Sequence, residues 1–430
     1  MSKPVHLHAG RRRALCCGAA ALTGLFTNLA TASETPVDPV GRVPRSEPAV
    51  PVWPTAIADL LHATFDGIDP AALWDVHTHL LGNGDSGSGC TIHTSMTEGW
   101  HPIERLRRAT IMNAAGVPGD ALAGGSVDRA YVERLRRLAA GFPPGARWLL
   151  FAFDRAVDGS GHDRPEWTTF HVPDRYAQQV AASTPDRFGW VASIHPLRHD
   201  ALERLDQALR QGALAVKWLP SAMAIDLRDR RLAPFYDQLA RSRTPLIVHG
   251  GEEKAVPGAQ RHDYGNPLLV RAPLEAGVRV IMAHCASLGE ALDLDQRRPS
   301  RRPAFELFAR LMDEPAWRGH LLGDVSALFQ VNRRADVWKT VLTRSDWHPR
   351  LLHGSDYPLP GVDLLYSTSR LVQEGLLDLA DVAPLERLRR HNPLLFDLAL
   401  KRRVAWRGER LSPLVFDTRW HFTTAAPGIA

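Results

Sequence analysis

Two imidazoles stand two residues apart in the stretch Leu73-Trp74-Asp75-Val76-His77-Thr78-His79-Leu80. On an extended strand, side chains at i and i+2 share a face, so His77 and His79 can converge on one ion. Imidazole suits zinc, and also iron, copper and nickel. Taken alone, a His-x-His is common by chance, and its plain reading is two histidines at a strand end with no ligand. The later chain changes the weighing. Four more short apolar runs close near a residue able to hold a cation or move a proton: Lys217 in ALAVKWL, His249 in PLIVHG, His284 in VRVIMAHC and Asp356 in RLLHGSD. Each of these alone reads as a hydrogen-bonded core residue. Together they form a set that chance explains poorly. A bound cation lowers the pKa of water and polarises a carbonyl or phosphoryl group, and a carboxylate in reach of that water can act as base and then as acid.

The elements that must position this set are legible as alternation. Apolar runs fall at Leu73–Leu80, Arg147–Asp154, Phe188–His195, Ala213–Leu219, Pro245–Gly250, Val278–Cys285, His320–Leu328 and Arg350–Asp356. They are short, and most close on Gly, Pro, Ser or Asp, as strands buried on both faces do. Amphipathic patterns at 128–140, 174–183, 200–211, 234–242, 267–276, 304–312 and 335–342 fill the gaps, with 365–373 and 384–400 after the last run. The spacing predicts an α/β fold, a (β/α)8 TIM barrel with long βα loops and short N- and C-terminal extensions. An open doubly wound sheet is the alternative. It would need a helix directly after Gly82-Asn83-Gly84, and none is predicted there. In a barrel of this kind the C-terminal strand ends carry the site, which is where the six residues lie. Segments 81–146 and 155–171 exceed a minimal βα connection, and long loops on this face carry specificity or a lid. The predicted organisation is an export signal over 1–32, an N-terminal arm over 33–72, the barrel over 73–400 and a tail over 401–430 that packs on the barrel exterior.

On these residues the chain resembles the amidohydrolase superfamily of metal-dependent hydrolases, close to the branch of aminocarboxymuconate semialdehyde decarboxylase and related decarboxylases and lactonases. The phrases WDVHTHL, AVKWLP, LIVHGGEE, IMAHCASLG and HGSDYPLP carry the resemblance, which spans about Leu73 to Leu400. It implies that His77 and His79 bind a first metal with Asp356, and that His249 binds the same metal or a second. His284 then binds the second metal or, with one metal only, polarises the water or the substrate. Asp356 moves the proton from water to leaving group. It leaves Lys217 with two readings of equal weight: a CO2-carboxylated bridge between two ions, or a charged lysine that holds a substrate carboxylate or pairs with Asp356. Trp218, Glu252 and Tyr357 are weaker candidates for substrate contact. Asp324 and Ser326 are candidate partners of a histidine ring, while His195, His353 and Cys285 read as packing residues. The implied cofactor is one or two divalent ions, zinc first, with manganese or iron as alternatives.

Charge and composition narrow the classes further. The net charge is +5, but residues 1–32 contribute +4 of it through Lys3, Arg11, Arg12 and Arg13, leaving the rest close to neutral. This gives no reason to invoke nucleic acid, and no apolar run is long enough for stable membrane insertion. Arg11-Arg12-Arg13, an apolar stretch to Ala30 and the small residues Ala30-Thr31-Ala32 read as a twin-arginine-like export signal, hence a periplasmic or secreted protein. Beyond residue 32 only Cys90 and Cys285 remain, too few for a disulfide framework. The reading is a metal-dependent hydrolase that cleaves an amide, lactone or ester bond of a small-molecule substrate through a metal-activated water. A homo-oligomer is left open. A non-oxidative decarboxylase on the same site and a non-catalytic exported metal-binding protein are the alternatives.

Overall fold

Each apolar run becomes a short parallel strand. A computed structural model of the chain describes residues 53–117, 125–256 and 258–423. The predicted export signal and most of the predicted arm lie outside these residues. The strands are β1 Trp74–His79, β2 Arg147–Phe151, β3 Phe188–Val191, β4 Val216–Trp218, β5 Leu246–His249, β6 Val280–Ala283, β7 Leu321–Asp324 and β8 Leu351–Leu352. Regular parallel ladders join β1 to β2 to β3, and β4 through β8 in sequence. Two sparser seams close the ring. Between β3 and β4, Lys217 N–H donates to the Ala192 carbonyl and Ala192 N–H to that of Ala215. Between β8 and β1, Val76 N–H reaches the His353 carbonyl, Asp356 N–H that of His77, and His79 N–H that of Tyr357. The fold is therefore a closed (β/α)8 barrel.

Side chains alternate across the barrel wall as a period of two requires. Val76, Leu149, Phe151, Val191, Ala215, Ile247, Ile281, Leu322 and Leu352 fill the interior. Their neighbours Trp148, Trp190, Val216, Trp218, Val248 and Met282 face the surrounding helices. The helical patterns form close to the predicted bounds, among them Val127–Ala140, Asp174–Ser183 and Ala304–Asp313. The pattern expected at 384–400 is two helices, Leu379–His391 and Pro393–Arg403. Asn392 ends the first and caps the second, its side chain accepting from the amides of Leu394 and Leu395, with Pro393 at the first helical position.

The two long insertions are stitched together at the mouth. Thr91–Ile92 pairs antiparallel with Phe170–His171. The glycine-rich loop after β1 is organised by the buried Asp128, whose carboxylate accepts from the amides of Asn83 and Gly84 and from the hydroxyls of Ser86 and Ser88. At the other end the tail goes further than covering the exterior. Phe422 joins the interior cluster and stacks on Trp74 at 6.4 Å. Thr418 brackets β1, its hydroxyl accepting from Trp74 N–H at 2.8 Å and donating to the Trp74 carbonyl at 2.6 Å. Cys90 and Cys285 are both buried free thiols.

Candidate metal and substrate site

Trp74 and Val76 point into the barrel, so strict alternation would turn His77 outward. A bulge prevents this: the register with β2 slips between Asp75 and Thr78. One extra residue in β1 re-aims the side chains after it, a common device near sites. Asp75 holds the bulge. Its buried carboxylate accepts from the amides of His77 at 3.1 Å and Ser355 at 2.8 Å. Burial, opposed by these hydrogen bonds, raises its pKa to about 6. His77 then lies against Phe151, with ring centres 4.7 Å apart. The strand returning beside it must come very close: a Cβ on Gly354 would sit 2.7 Å from the His77 Cβ.

Asp324, at the end of β7, organises two of the histidines. Its Oδ2 lies 2.9 Å from His77 Nδ1, and its Oδ1 accepts the amides of His284 and Ser326, each at 3.0 Å. The Ser326 hydroxyl sits 2.8 Å from His284 Nδ1. With both Nδ1 atoms engaged, each Nε2 turns toward Asp356. His77 Nε2 lies 3.4 Å and His79 Nε2 3.1 Å from Asp356 Oδ1, while His284 Nε2 is 4.0 Å from Oδ2. His284 and Asp356 both occupy the left-handed region, with φ of 56° and 59°. That region is strained for such residues and is kept where surroundings over-determine it, often at functional sites.

Lys217 and His249 complete the ring from β4 and β5. The Lys217 ammonium is buried, lies 5.2 Å from the Phe151 ring centre and has no hydrogen-bond partner among the described residues. Burial pushes its pKa down to about 8, against the pull of Asp324, Asp356 and Glu253. His249 Nε2 faces Glu253 Oε2 at 3.3 Å without hydrogen-bond alignment. Glu253 is held in place because its Oε1 accepts the amides of Ala255 and Val256. Burial lowers the pKa of His77, His249 and His284, so each ring presents a neutral nitrogen.

The arrangement fits a divalent cation. His77, His284 and Asp356 place one ligand atom each within 4.8 Å of one another, with His79 on the same carboxylate oxygen as His77. Among the described residues the buried Nε2 atoms of His77 and His249 have no hydrogen-bond partner, which is how ligand atoms stand before an ion is counted. His77 and His79 thus share Asp356 as the sequence pairs them, and His284 joins the same group.

A cavity of about 280 Å³ opens on these groups. Glu252 lines it from a half-exposed position and pairs with Lys254 at 3.3 Å. Two expected contacts lie elsewhere. Trp218 alternates to the outer wall, where its Nε1 donates to the Ile194 carbonyl at 2.8 Å and its ring packs on Phe235. Tyr357 is fully buried beside Tyr131, with its hydroxyl on the Ala115 carbonyl at 3.0 Å. Sequence reasoning missed Arg333 and Gln330, both buried in the loop after β7 and both lining the cavity. Arg333-Arg334 ahead of the helix Ala335–Thr343 gives no signal beyond a polar helix start. His195 and His353 are buried away from the cavity, with His195 Nε2 on the Met223 carbonyl and the His353 ring against Phe416.

The sequence model of a family described as amidohydrolase matches residues 74–394. No curated protein matches the chain. Among solved structures, it is similar to a TIM-barrel protein of Bordetella bronchiseptica, at 16% identity and a TM-score of 0.45 over 76% of this chain and 99% of that one. It is also similar to 5-carboxyvanillate decarboxylase of Sphingomonas paucimobilis, at 10% identity and a TM-score of 0.41 over 76% and 96%. A third is 4-oxalomesaconate hydratase of Rhodopseudomonas palustris, at 12% identity and a TM-score of 0.36 over 76% and 98%.

Proposed function

The chain belongs to the amidohydrolase family, and on that premise we propose that it is a metal-dependent hydrolase acting on an amide, lactone or ester bond of a small molecule. The observation that carries this reading is the convergence of His77, His284 and Asp356 at the strand ends, with the buried Nε2 atoms of His77 and His249 free of hydrogen bonds among the described residues. His77, His79, His249, His284 and Asp356 would hold a divalent cation, zinc first by ligand type. Bound there, the ion would supply Lewis acidity, acidifying water and polarising the scissile carbonyl.

The remaining work falls to the chain. Asp356 carries two oxygens, and the two imidazoles on Oδ1 leave Oδ2 free to accept a proton from water and return it to the leaving group. His284, neutral and fixed through Nδ1 by Ser326, would use Nε2 to bind a second ion or, with one ion only, to polarise the water or the substrate. The lowered pKa of Lys217 supports the carboxylated-bridge reading, since only a neutral amine adds CO2, and its ammonium has no hydrogen bond to Asp356. The apolar walls exclude bulk water and strengthen each charge interaction. Export through the Arg11-Arg12-Arg13 segment belongs to the same proposal, and N-terminal sequencing of protein from the periplasmic fraction would find cleavage after Ala32.

The test is metal content per chain, the intact mass under non-denaturing conditions, and turnover on a panel of aryl esters, lactones and anilides. One or two ions with hydrolysis is the expected result. Two ions with the added mass of a carboxylate would assign Lys217 as the bridge. Inertness on the panel with CO2 release from an aromatic or enoic acid would replace hydrolase by decarboxylase. A preparation that binds no divalent ion after loading would overturn the metal reading itself.

A further inference from the structure

The loop after β5 brings a carboxylate back over the histidine that ends the strand. Gly251 makes the turn, with a φ of 85°, and a Cβ there would sit 2.5 Å from the Leu288 carbonyl oxygen. Its N–H donates to the Gly265 carbonyl at 2.7 Å, and Glu252 N–H donates to that of Leu288 at 2.9 Å. The path of the loop is therefore fixed, and it lays Glu253 against His249, four residues earlier. The Glu253 side chain is 8% exposed. Its Oε1 accepts the amides of Ala255 at 2.6 Å and Val256 at 2.9 Å. Its Oε2 accepts no hydrogen bond among the described residues. No lysine or arginine pairs with it there either, since Lys254 turns to Glu252. His249 does not supply the missing charge, because burial keeps its ring neutral. A carboxylate taken out of water without a counter-charge is costly unless a cation joins it.

The geometry of the pair says what kind of cation fits. His249 Nε2 lies 3.3 Å from Glu253 Oε2, yet no hydrogen bond forms, because the ring nitrogen does not aim at the oxygen. Both residues line the cavity. Two lone-pair atoms that face a common point rather than each other are arranged as ligands of one ion. The spacing agrees. Zinc holds nitrogen and oxygen at about 2.0–2.2 Å with tetrahedral angles, which sets neighbouring ligand atoms about 3.3–3.5 Å apart. A similar edge recurs in the adjoining group, where the Nε2 atoms of His77 and His79 stand 3.4 and 3.1 Å from Asp356 Oδ1. We propose that Glu253 is a metal ligand, its Oε2 joining His249 Nε2 on the ion that His249 holds. This rests on the metal-dependent reading above and adds to it a carboxylate from outside the strand ends. Oxygen is the harder donor, so its presence favours zinc or manganese over soft ions such as copper(I).

Chelator competition on the full chain tests this, with zinc-loaded and cobalt(II)-loaded wild type and Glu253→Gln, together with the visible spectrum of the cobalt forms. Glutamine can keep its oxygen on the two loop amides, which puts an NH2 where the ligand oxygen stood. The affinity for one ion should fall at least about tenfold, which is the least that loss of a partner outside the ligand set costs. The cobalt absorption bands should shift or change intensity as well, because the ligand set itself has changed. Thermal melts would show that the variant folds, and Glu253→Ala serves should it not. Unchanged affinity for both metals would overturn the proposal. Weaker binding with an unchanged cobalt spectrum would also overturn it, making Glu253 a positioning partner of the His249 ring. Slower turnover with affinity and spectrum both unchanged would overturn it in favour of a proton carrier. The two readings fail separately: wild type that takes up neither zinc nor cobalt loses the metal site altogether, whereas wild type that binds ions with Glu253 indifferent loses only this ligand.

Discussion

The two ends of one barrel differ in backbone strain and in where their unpartnered polar groups face. At the C-terminal rim, buried polar atoms stand without hydrogen bonds among the described residues: His77 Nε2, His249 Nε2, Lys217 Nζ and Gln330 Nε2. The backbone there takes left-handed conformations at His284, Cys285, Ala286, Ala327 and Asp356. At the N-terminal floor, Phe422 stacks on Trp74, and Thr418 satisfies both backbone groups of Trp74. The floor also holds buried unpartnered atoms among the described residues, Trp74 Nε1, Asp417 Oδ1 and Thr423 Oγ1, while its aromatic stacking contributes stability. At the rim the unpartnered groups belong to residues that line one cavity. In a barrel these tasks are separable because the strands between them form a rigid, apolar column.

That contrast can be broken at chosen residues. The largest effect is expected for Asp356→Asn, which should lower turnover by about 10³-fold while leaving the melting temperature within a degree or two, because the residue moves protons rather than packing the core. A comparable fall in melting temperature and in activity would show that rim and floor are not separate. Phe422→Ala should do the reverse. It should cost about 3 kcal/mol of stability, read by denaturant unfolding, with kcat unchanged once the protein is folded. Asp324→Asn is smaller and sharper. Weaker orientation of His77 and His284 should reduce metal affinity by about 10- to 100-fold in competition with a chelator. Equal affinity would mean that the Nδ1 contacts do not set the rings.

Most of the frame and of the ring of candidate ligands was legible because parallel strands and their ends announce themselves. Apolar runs closed by Gly, Pro or Asp marked each strand, and alternation placed Lys217 inward. The same rule, applied to its neighbour, turns Trp218 outward, so the structure corrects that residue with reasoning already available. Asn392-Pro393 likewise carried a helix start inside what read as one helix. Other features have no local code. The bulge at Asp75–Thr78 depends on a hydrogen bond to Ser355, about 280 residues away. Tyr357 follows a metal-type aspartate, yet its direction is set by packing against Tyr131. Arg333 and Glu253 sit in polar loops where charged residues are ordinary, and only burial separates them from solvated neighbours.

The clasp between Thr418 and Trp74 joins positions separated by 344 residues. A chain emerging from the ribosome makes β1 first and its partner nearly last. Until the final segment appears, Trp74 has no cover, and the β8 seam that Val76, His77 and His79 require is also missing. Such long-range closure is slow relative to local helix formation and leaves apolar surface open meanwhile. The barrel is therefore a structure that locks from its two ends at once, and the time of vulnerability is the time of synthesis.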